Sequence, residues 1–154
     1  MRIIPGDLHD PRVIELLNIH ATSARAQTAR GSAHALDISG LQTPDISFWA
    51  AWQEEQLLAV GALRQLSAED GEVKSMHTAQ FARRLGAGSA MLRHIIDVAR
   101  ARGFSRLNLE TGAWDYFIPA RAFYQRHGFI ACPPFGDYAA DSNSVFMSLD
   151  LRAS

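Results

Sequence analysis

The chain has 154 residues, of which 47% are hydrophobic and 20% charged, and this balance predicts one globular domain over residues 1–154 that needs neither disulfides nor metals. The formal net charge of −1 excludes the basic excess of a nucleic-acid-binding protein, and no apolar run is long enough to span a membrane. The single cysteine, Cys132, excludes an internal disulfide, and no apolar secretory segment is seen at the N-terminus, so we expect a cytoplasmic protein.

The first half of the chain predicts a strand, a helix and an antiparallel run of three strands. Asp7 or Asp10 is suited to cap the helix, because Pro11 follows as a favourable first helical residue. Glycine and proline then interrupt the pattern. In order, the predictions are a strand at 1–4, a helix from Pro11, a loop with one short helix at 29–44, a hairpin of strands at 46–52 and 57–66, and a strand at 72–78.

The second half alternates helices and strands. Leu107 and Leu109 alternate with polar residues as in a half-buried strand, and Gly103 is suited to end the preceding helix. The predicted elements are a helix at 87–102, a strand at 104–111, a short helix at 119–127, and strands at 129–131 and 144–151. Together the two halves predict an α/β (α+β) fold built on a mixed sheet.

A glycine-rich loop, Arg83-Arg84-Leu85-Gly86-Ala87-Gly88, separates the strand at 72–78 from the following helix. Its glycines allow the backbone to approach an anion, the helix N-terminus offers free N–H groups, and the arginines add charge-assisted hydrogen bonds. The third position of a dinucleotide fingerprint is occupied by Met91, so that motif is excluded. The loop predicts either a phosphate site or a tight turn with a helix cap.

The loop resembles the hallmark Arg/Gln-x-x-Gly-x-Gly/Ala of the GNAT superfamily of acetyl-CoA-dependent N-acyltransferases, and matches its fixed positions. A second element of that family, Ala-x-x-x-Tyr-x-x-x-Gly-Phe, is matched by Ala120, Tyr124, Gly128 and Phe129. The resemblance implies a GNAT fold, in which a mixed central sheet of about six to seven strands is flanked by helices on both faces. It also implies transfer of an acetyl group from acetyl-CoA to an amine, without a metal.

The chain is similar, more narrowly, to a bacterial subgroup usually described only provisionally as acetyltransferases. The phrases that carry this similarity are Ala33-His34-Ala35-Leu36-Asp37, Ile46-Ser47-Phe48-Trp49, Glu72-Val73-Lys74-Ser75-Met76, Leu109-Glu110-Thr111-Gly112, Pro134-Phe135-Gly136-Asp137-Tyr138 and Asn143-Ser144-Val145-Phe146-Met147. One departure is Phe117, which stands where many relatives carry an asparagine that contacts the pantetheine arm.

The resemblance implies a set of cofactor-binding residues. The loop backbone would hold the pyrophosphate of coenzyme A, and the end of the preceding strand would pair with the pantetheine amides like an added strand. A backbone N–H near Met76 or His77 would polarise the thioester carbonyl. The implied residues are Met76, His77, Thr78, Arg83, Arg84, Leu85, Gly86, Ala87, Gly88, Ser89, Thr111 and Tyr124.

Acyl transfer also needs a proton donor for the thiolate and an acceptor for the proton of the amine. The resemblance places Tyr124 beside the cofactor sulfur as the acid, although a core aromatic is the alternative. The base candidates are Glu72, His77 and Glu110, and strand alternation predicts opposite faces for the first two. Glu110 is better placed, near the end of its strand; a structural carboxylate, a base acting through water, or no dedicated base are the alternatives.

The acceptor site is expected between the N-terminal helices, the loop at His34 and the last hairpin. The candidate lining residues are His34, Trp49, Phe135, Asp137, Tyr138 and Asn143. Trp49 could instead pack in the core, and Asp137 and Asn143 could shape a turn. The mixture of aromatic rings and a carboxylate favours a small amine or amino-acid-like acceptor, including polyamines.

Three functions are compatible with these motifs: a small-molecule N-acetyltransferase, a coenzyme A-binding sensor without turnover, and a protein-modifying acetyltransferase. The histidines lack metal-site spacing, so no metal is expected. The resemblance also allows a homodimer.

Overall fold

A computed structural model describes residues 1–27 and 38–152 of the chain. Within these ranges the strands are β1 (Arg2–Pro5), β2 (Ile46–Gln53), β3 (Gln56–Gln65), β4 (Asp70–Thr78), β5 (Arg106–Gly112), β6 (Ile130–Ala131) and β7 (Ser144–Asp150). They form one sheet in the order β1-β2-β3-β4-β5-β7-β6. The α-helices are α1 (Pro11–Gln27), α2 (Ala87–Ala101) and α3 (Ile118–Arg126).

Every neighbouring pair in the sheet is antiparallel except β4 and β5, which are parallel. Parallel neighbours need a crossover connection, and α2 supplies it between these two strands. The predicted mixed sheet is therefore confirmed, and its one parallel step brings the loop before α2 to the carboxyl end of β4.

Helices cover both faces of the sheet, as predicted. The α2 and α3 side has a core that includes Met91, Ile95 and Tyr124. The α1 side has a second core, in which Val13 and Leu16 pack with apolar residues of β2 and β3. Fully buried aliphatic side chains on each side hold the helices against the sheet mainly through the hydrophobic effect.

Helix α1 begins as the sequence predicts, with Pro11 as its first residue. Asp10 is the cap, since its carboxylate accepts the backbone N–H of Arg12 at 2.9 Å. Asp7 accepts instead from the N–H of His9 at 2.8 Å, in the turn that precedes the helix. None of the helices in the described ranges combines the length and apolar character needed to cross a membrane.

The predicted irregular segment at 29–44 lies partly outside the described residues. Its described part contains a short 3₁₀ helix, Ser39–Gln42, which buries Leu41. His34 lies outside the described residues, so its predicted place in the acceptor site stays a prediction.

Candidate active site

A gap opens between β4 and β5. The strands are paired only through Asp70↔Arg106, Gly71↔Leu107 and Glu72↔Asn108, after which β5 continues alongside β7. Beyond Glu72, the edge of β4 that faces β5 therefore has no strand partner among the described residues. A sheet whose neighbouring strands separate at their carboxyl ends exposes backbone hydrogen-bonding groups and a crevice, which is where open α/β sheets bind ligands.

A β-bulge in β4 decides which side chains face each side of this gap. Ser75 has a positive φ of 52°, and the register with β3 shifts between Val60↔His77 and Ala62↔Lys74. Because of this extra residue, His77 lies on the α1 side and not on the α2 side that strict alternation would give. Its cross-strand partner Val60 also lies on the α1 side.

The prediction that Glu72 and His77 face opposite sides is therefore wrong, because strict alternation fails at a bulge. Glu72, Lys74 and His77 all lie on the α1 side, whereas Met76 packs with the α2 side. Gly61 makes this possible, since a Cβ there would lie 2.9 Å from the sulfur of Met76.

The glycine-rich loop lies at the mouth of the gap. Gly86 has φ 78° and precedes α2, whose N-terminus has no side-chain cap. The N–H groups of a helix's first turn have no acceptor within the helix, so this end can receive an anion. Arg83 and Arg84 are exposed beside it.

Gly88 allows α2 to begin directly against the end of β4. A Cβ at this position would lie 2.8 Å from Oγ1 of Thr78 and 3.7 Å from the ring of Phe123. The close approach brings the helix N-terminus, the last residue of β4 and α3 together.

A contact between Ser89 and His127 also links α2 with α3 beside the loop. The Oγ of Ser89 is 3.2 Å from Nε2 of His127, whose ring packs against Phe123. Burial lowers the pKa of His127, and the charges of Arg93 and Arg126 lower it further. Both effects favour the neutral form of His127 at the edge of the loop.

Tyr124 lies in the core on the α2 and α3 side of the sheet. Its ring packs edge-on against Phe123 and Phe129 in the core. Burial raises its pKa, so the hydroxyl keeps its proton at neutral pH.

Glu110 lies on the opposite side. Its neighbour Leu109 packs in the α2-side core, so strand alternation directs Glu110 to the α1 side, where it is half-buried and directly opposite Phe146 of β7. The ring of Tyr138 packs 5.5 Å from that of Phe146, so Tyr138 lies on the same side as Glu110.

A buried polar network stands at the closed end of the gap. The Tyr138 hydroxyl donates to Oε2 of Glu72 at 2.8 Å and accepts from the Lys74 ammonium at 2.9 Å. Burial is the main reason that the pKa of Tyr138 is raised, followed by the charge of Glu72 and its hydrogen bond. Glu72, only 1% exposed, is therefore committed to a network on this side rather than presented to solvent.

An open cleft of about 930 Å³ adjoins the other end of the gap on the α1 side. Its walls come from α1, the turn between β2 and β3, and the end of β4, and they include Leu16, Glu55, His77 and Arg83. The cleft lies beside the end of β4, on the side of the sheet opposite α2 and α3. Within the described ranges, no cluster of three or more His, Cys, Asp or Glu side chains could hold a metal ion.

Comparison with known proteins decides what kind of site this is. Residues 13–129 match the model of the Acetyltransferase (GNAT) family. The chain belongs to this family. It is 43% identical over 151 residues to the uncharacterized N-acetyltransferase YsnE of Bacillus subtilis (strain 168), covering 98% of this chain and 100% of that protein.

Two further comparisons agree with this family. The uncharacterized N-acetyltransferase YedL of Escherichia coli (strain K12) is 43% identical over 145 residues, covering 94% of this chain and 91% of that protein. A solved structure from Klebsiella pneumoniae subsp. pneumoniae, provisionally described as an acyl-CoA N-acyltransferase, has a TM-score of 0.77 and 26% identity and covers 97% of both chains. The predicted GNAT fold is confirmed, and the protein is an acyltransferase.

The GNAT fold distributes the predicted acceptor residues unevenly. Phe135 and Tyr138 lie together, with ring centroids 5.2 Å apart. Trp49 does not join them, because it is buried and packs edge-on against His94 on the α2 side. Asp137 is exposed in the turn that leads to Tyr138.

Asn143 shapes the chain before β7, as the alternative interpretation predicts. Its backbone N–H donates to the Asp141 carboxylate at 2.8 Å, and its carbonyl accepts from the N–H of Ala113 at 3.0 Å. It thereby fixes the loop beyond β5. The ring of Phe117 covers Gly112 in the same region, where any Cβ would collide with that ring.

Sequence reasoning missed Lys74 and the pairing of Ser89 with His127. Glu72 and Lys74 are two residues apart on one strand, so alternation alone could have indicated a same-face ion pair. Nothing local could have indicated their contact with Tyr138, which lies 64 residues beyond Lys74 in the chain.

Proposed function

We propose that this GNAT enzyme transfers the acetyl group of acetyl-CoA to the primary amine of a small molecule, with both substrates bound at the gap between β4 and β5. The observation that carries this proposal is the gap itself, which opens where β4 ends near the uncapped N-terminus of α2 and beside a cleft that His77 lines on the α1 side. Direct attack needs two substrates to meet at one point from different directions.

The residues around the loop fit the phosphates of coenzyme A. The N-terminus of α2 offers N–H groups and the positive end of a helix dipole, and Arg83 and Arg84 add cationic charge. We propose that residues 83–89 hold the pyrophosphate. Met76, His77, Thr78 and Thr111 would line the pantetheine arm along the separated strands.

The two sides of the gap are proposed to supply the acid and the base. On the α2 and α3 side, Tyr124 retains its proton and would donate it to the leaving thiolate, whose ordinary pKa is about 8.5. On the α1 side, Glu110 would receive the proton of the attacking amine. A backbone N–H at the Ser75 bulge would stabilise the charge that builds on the acetyl oxygen.

The acceptor is proposed to enter through the α1-side cleft. Phe135 and Tyr138 would provide aromatic surface further along the gap on the same side of the sheet, and Glu110 would favour a cationic amine as it approaches. These features support an amino-acid-like or polyamine-like molecule.

The function is tested by incubating the protein with acetyl-CoA and single amines, and by measuring the release of free thiol. The panel comprises amino acids, putrescine, spermidine, phenethylamine and short peptides, and a reaction without amine corrects for hydrolysis. We expect saturable release with at least one small amine. Tight binding of coenzyme A without turnover would support a sensor, and turnover confined to peptides would support a protein acetyltransferase.

A further inference from the structure

The network of Glu72, Lys74 and Tyr138 is centred on a tyrosine hydroxyl rather than on an ion pair. The ammonium of Lys74 lies 3.3 Å from Oε2 of Glu72, a long distance for a charge-assisted hydrogen bond. Both charged groups make their shorter contact with the Tyr138 hydroxyl, at 2.9 Å and 2.8 Å. The Lys74 ammonium also lies 5.5 Å from the centroid of the Tyr138 ring.

Stability alone is a poor explanation for these buried charges. The side chains of Lys74 and Glu72 are 8% and 1% exposed, so both have lost most of their hydration. A buried ion pair often contributes less than an apolar pair of the same volume. Oε1 of Glu72 also has no hydrogen-bond partner among the described residues, so the carboxylate is not optimally satisfied.

The position of the network indicates another role. Lys74 stands on the part of β4 that has already separated from β5, and Tyr138 belongs to the chain between β6 and β7. Their contact therefore bridges from one wall of the gap to the loop on the far side of β5.

The anchored ring supports an aromatic cluster beside the proposed base. Tyr138 packs edge-on against Phe135 and Phe146, with centroids 5.2 Å and 5.5 Å away. Phe146 is the direct cross-strand partner of Glu110. A displacement of the Tyr138 hydroxyl would thus be transmitted to the side chains next to Glu110.

We propose that Glu72 and Lys74 act as positioning residues, which hold the Tyr138 hydroxyl and so fix the segment 132–143 as the acceptor-side wall of the gap. This role rests on the proposed function, because the wall matters for catalysis only if an amine binds there. The network sets how well the amine binds and is expected to leave the coenzyme A side unaffected, since it lies at the closed end of the gap on the α1 side, whereas the loop at 83–89 precedes α2 at the other end of β4.

The main test replaces Tyr138 by Phe, which keeps the ring and its packing but removes the hydroxyl. The control is Tyr116→Phe, at an exposed tyrosine elsewhere on the surface. Hydrogen–deuterium exchange of residues 132–143 is measured without any substrate. A hydrogen bond to a charged group is strong enough that its loss should speed exchange there by about tenfold or more.

The kinetic test uses phenethylamine and putrescine as amine probes with acetyl-CoA. In Tyr138→Phe we expect the KM for the amine to rise by about tenfold, on the same hydrogen-bond energy, with kcat and the KM for acetyl-CoA within about twofold of wild type. A purely structural role would change kcat and both KM values together, or would change none of them. A fall in kcat with an unchanged KM for the amine would overturn the proposal.

A second variant, Glu72→Gln combined with Lys74→Met, removes both charges at once and avoids leaving one of them buried alone. It should speed exchange in 132–143 as Tyr138→Phe does. Unchanged exchange in both variants would refute the positioning role even if wild-type protein acetylates amines. If exchange is faster in both variants but the wild-type protein acetylates no amine, the network does hold the segment 132–143 in place and the proposed function is refuted.

Discussion

Tyr124 and Glu110 lie on opposite faces of the sheet. Tyr124 belongs to the apolar core under α2 and α3, whereas Glu110 is half-buried on the α1 side among polar and aromatic groups. An acyl transfer that runs through the sheet needs one proton delivered on the thiol side and one removed on the amine side. The location of the two residues on opposite faces supports the proposed roles more strongly than their residue types do.

Tyr124→Phe should lower kcat by at least about tenfold, because a positioned general acid commonly contributes 10²–10⁴-fold. The ring and its core packing remain, so the affinity for coenzyme A should stay within about twofold. Steady-state thiol release and calorimetric titration with coenzyme A measure the two quantities. An unchanged kcat would reassign Tyr124 to packing alone.

Glu110→Gln should reduce kcat/KM for the amine by about 10²-fold, the lower range for a general base, while keeping the shape of the side chain. The matched control is Glu69→Gln, at an exposed carboxylate in the turn before β4. The two variants are compared by amine kinetics and by thermal unfolding. If Glu110→Gln loses stability but keeps its kinetics, the carboxylate is structural.

Local elements were predictable because their signals are local. Pro11 with Asp10 marks the start of α1, and Gly103, with a φ of 85°, follows the end of α2. The bulge at Ser75 was not predictable, because it exists only through the register with β3 and the space over Gly61. For that reason the predicted sheet face of His77 is wrong, although the strand itself was predicted correctly.

The role of Gly86 in coenzyme A binding can be tested with Gly103 as a matched control. Gly86 and Gly103 have φ of 78° and 85°, and a Cβ at either would meet nothing within 4 Å. Alanine at either site should therefore lower the free energy of unfolding by about 1–2 kcal/mol through backbone strain alone. Only Gly86→Ala should also weaken coenzyme A binding, which calorimetry measures. Equal affinities in the two variants would remove the loop from the cofactor site.

At the scale of the whole molecule, the site assembles residues that are distant in the chain. The sequence allows a prediction of the glycine-rich loop and Tyr124 as cofactor-side residues, because each lies in its own short motif. The anchor between Lys74 and Tyr138 could not be predicted, since it depends on how β4, β5 and the chain before β7 lie side by side. Trp49 shows the opposite case: it was a candidate acceptor-site residue, but it packs in the core against His94.

We propose that residues 1–154 unfold as a single domain, with a stability that falls in mild acid. Burial lowers the pKa of both His94 and His127 below the ordinary value of about 6.5. The unfolded chain therefore takes up protons first, so the free energy of unfolding should fall as pH drops through about 6.5. The lowered carboxyl pKa values of Asp10 and Asp45 act in a lower window, from about pH 4 downward.

Urea unfolding at about pH 7.5, 6.5 and 5.5 measures this dependence. His127→Gln should flatten it, whereas His9→Gln, at an exposed residue, should not. Two separate transitions would argue against a single domain, and equal slopes in both variants would exclude His127 as a cause.

The bulge at Ser75 makes chain length, and not only residue type, part of the information in β4. If the bulge were straightened with every residue kept, the side chains from Met76 to Thr78 would exchange sheet faces although none had been substituted. Met76 would then leave the α2 core, and His77 would leave the cleft. Deletion of Ser75 removes the extra residue and keeps these faces, so we expect it to be tolerated better than deletion of Val73, which would turn Lys74 to the opposite face. A deep mutational scan for fold stability would reveal the difference.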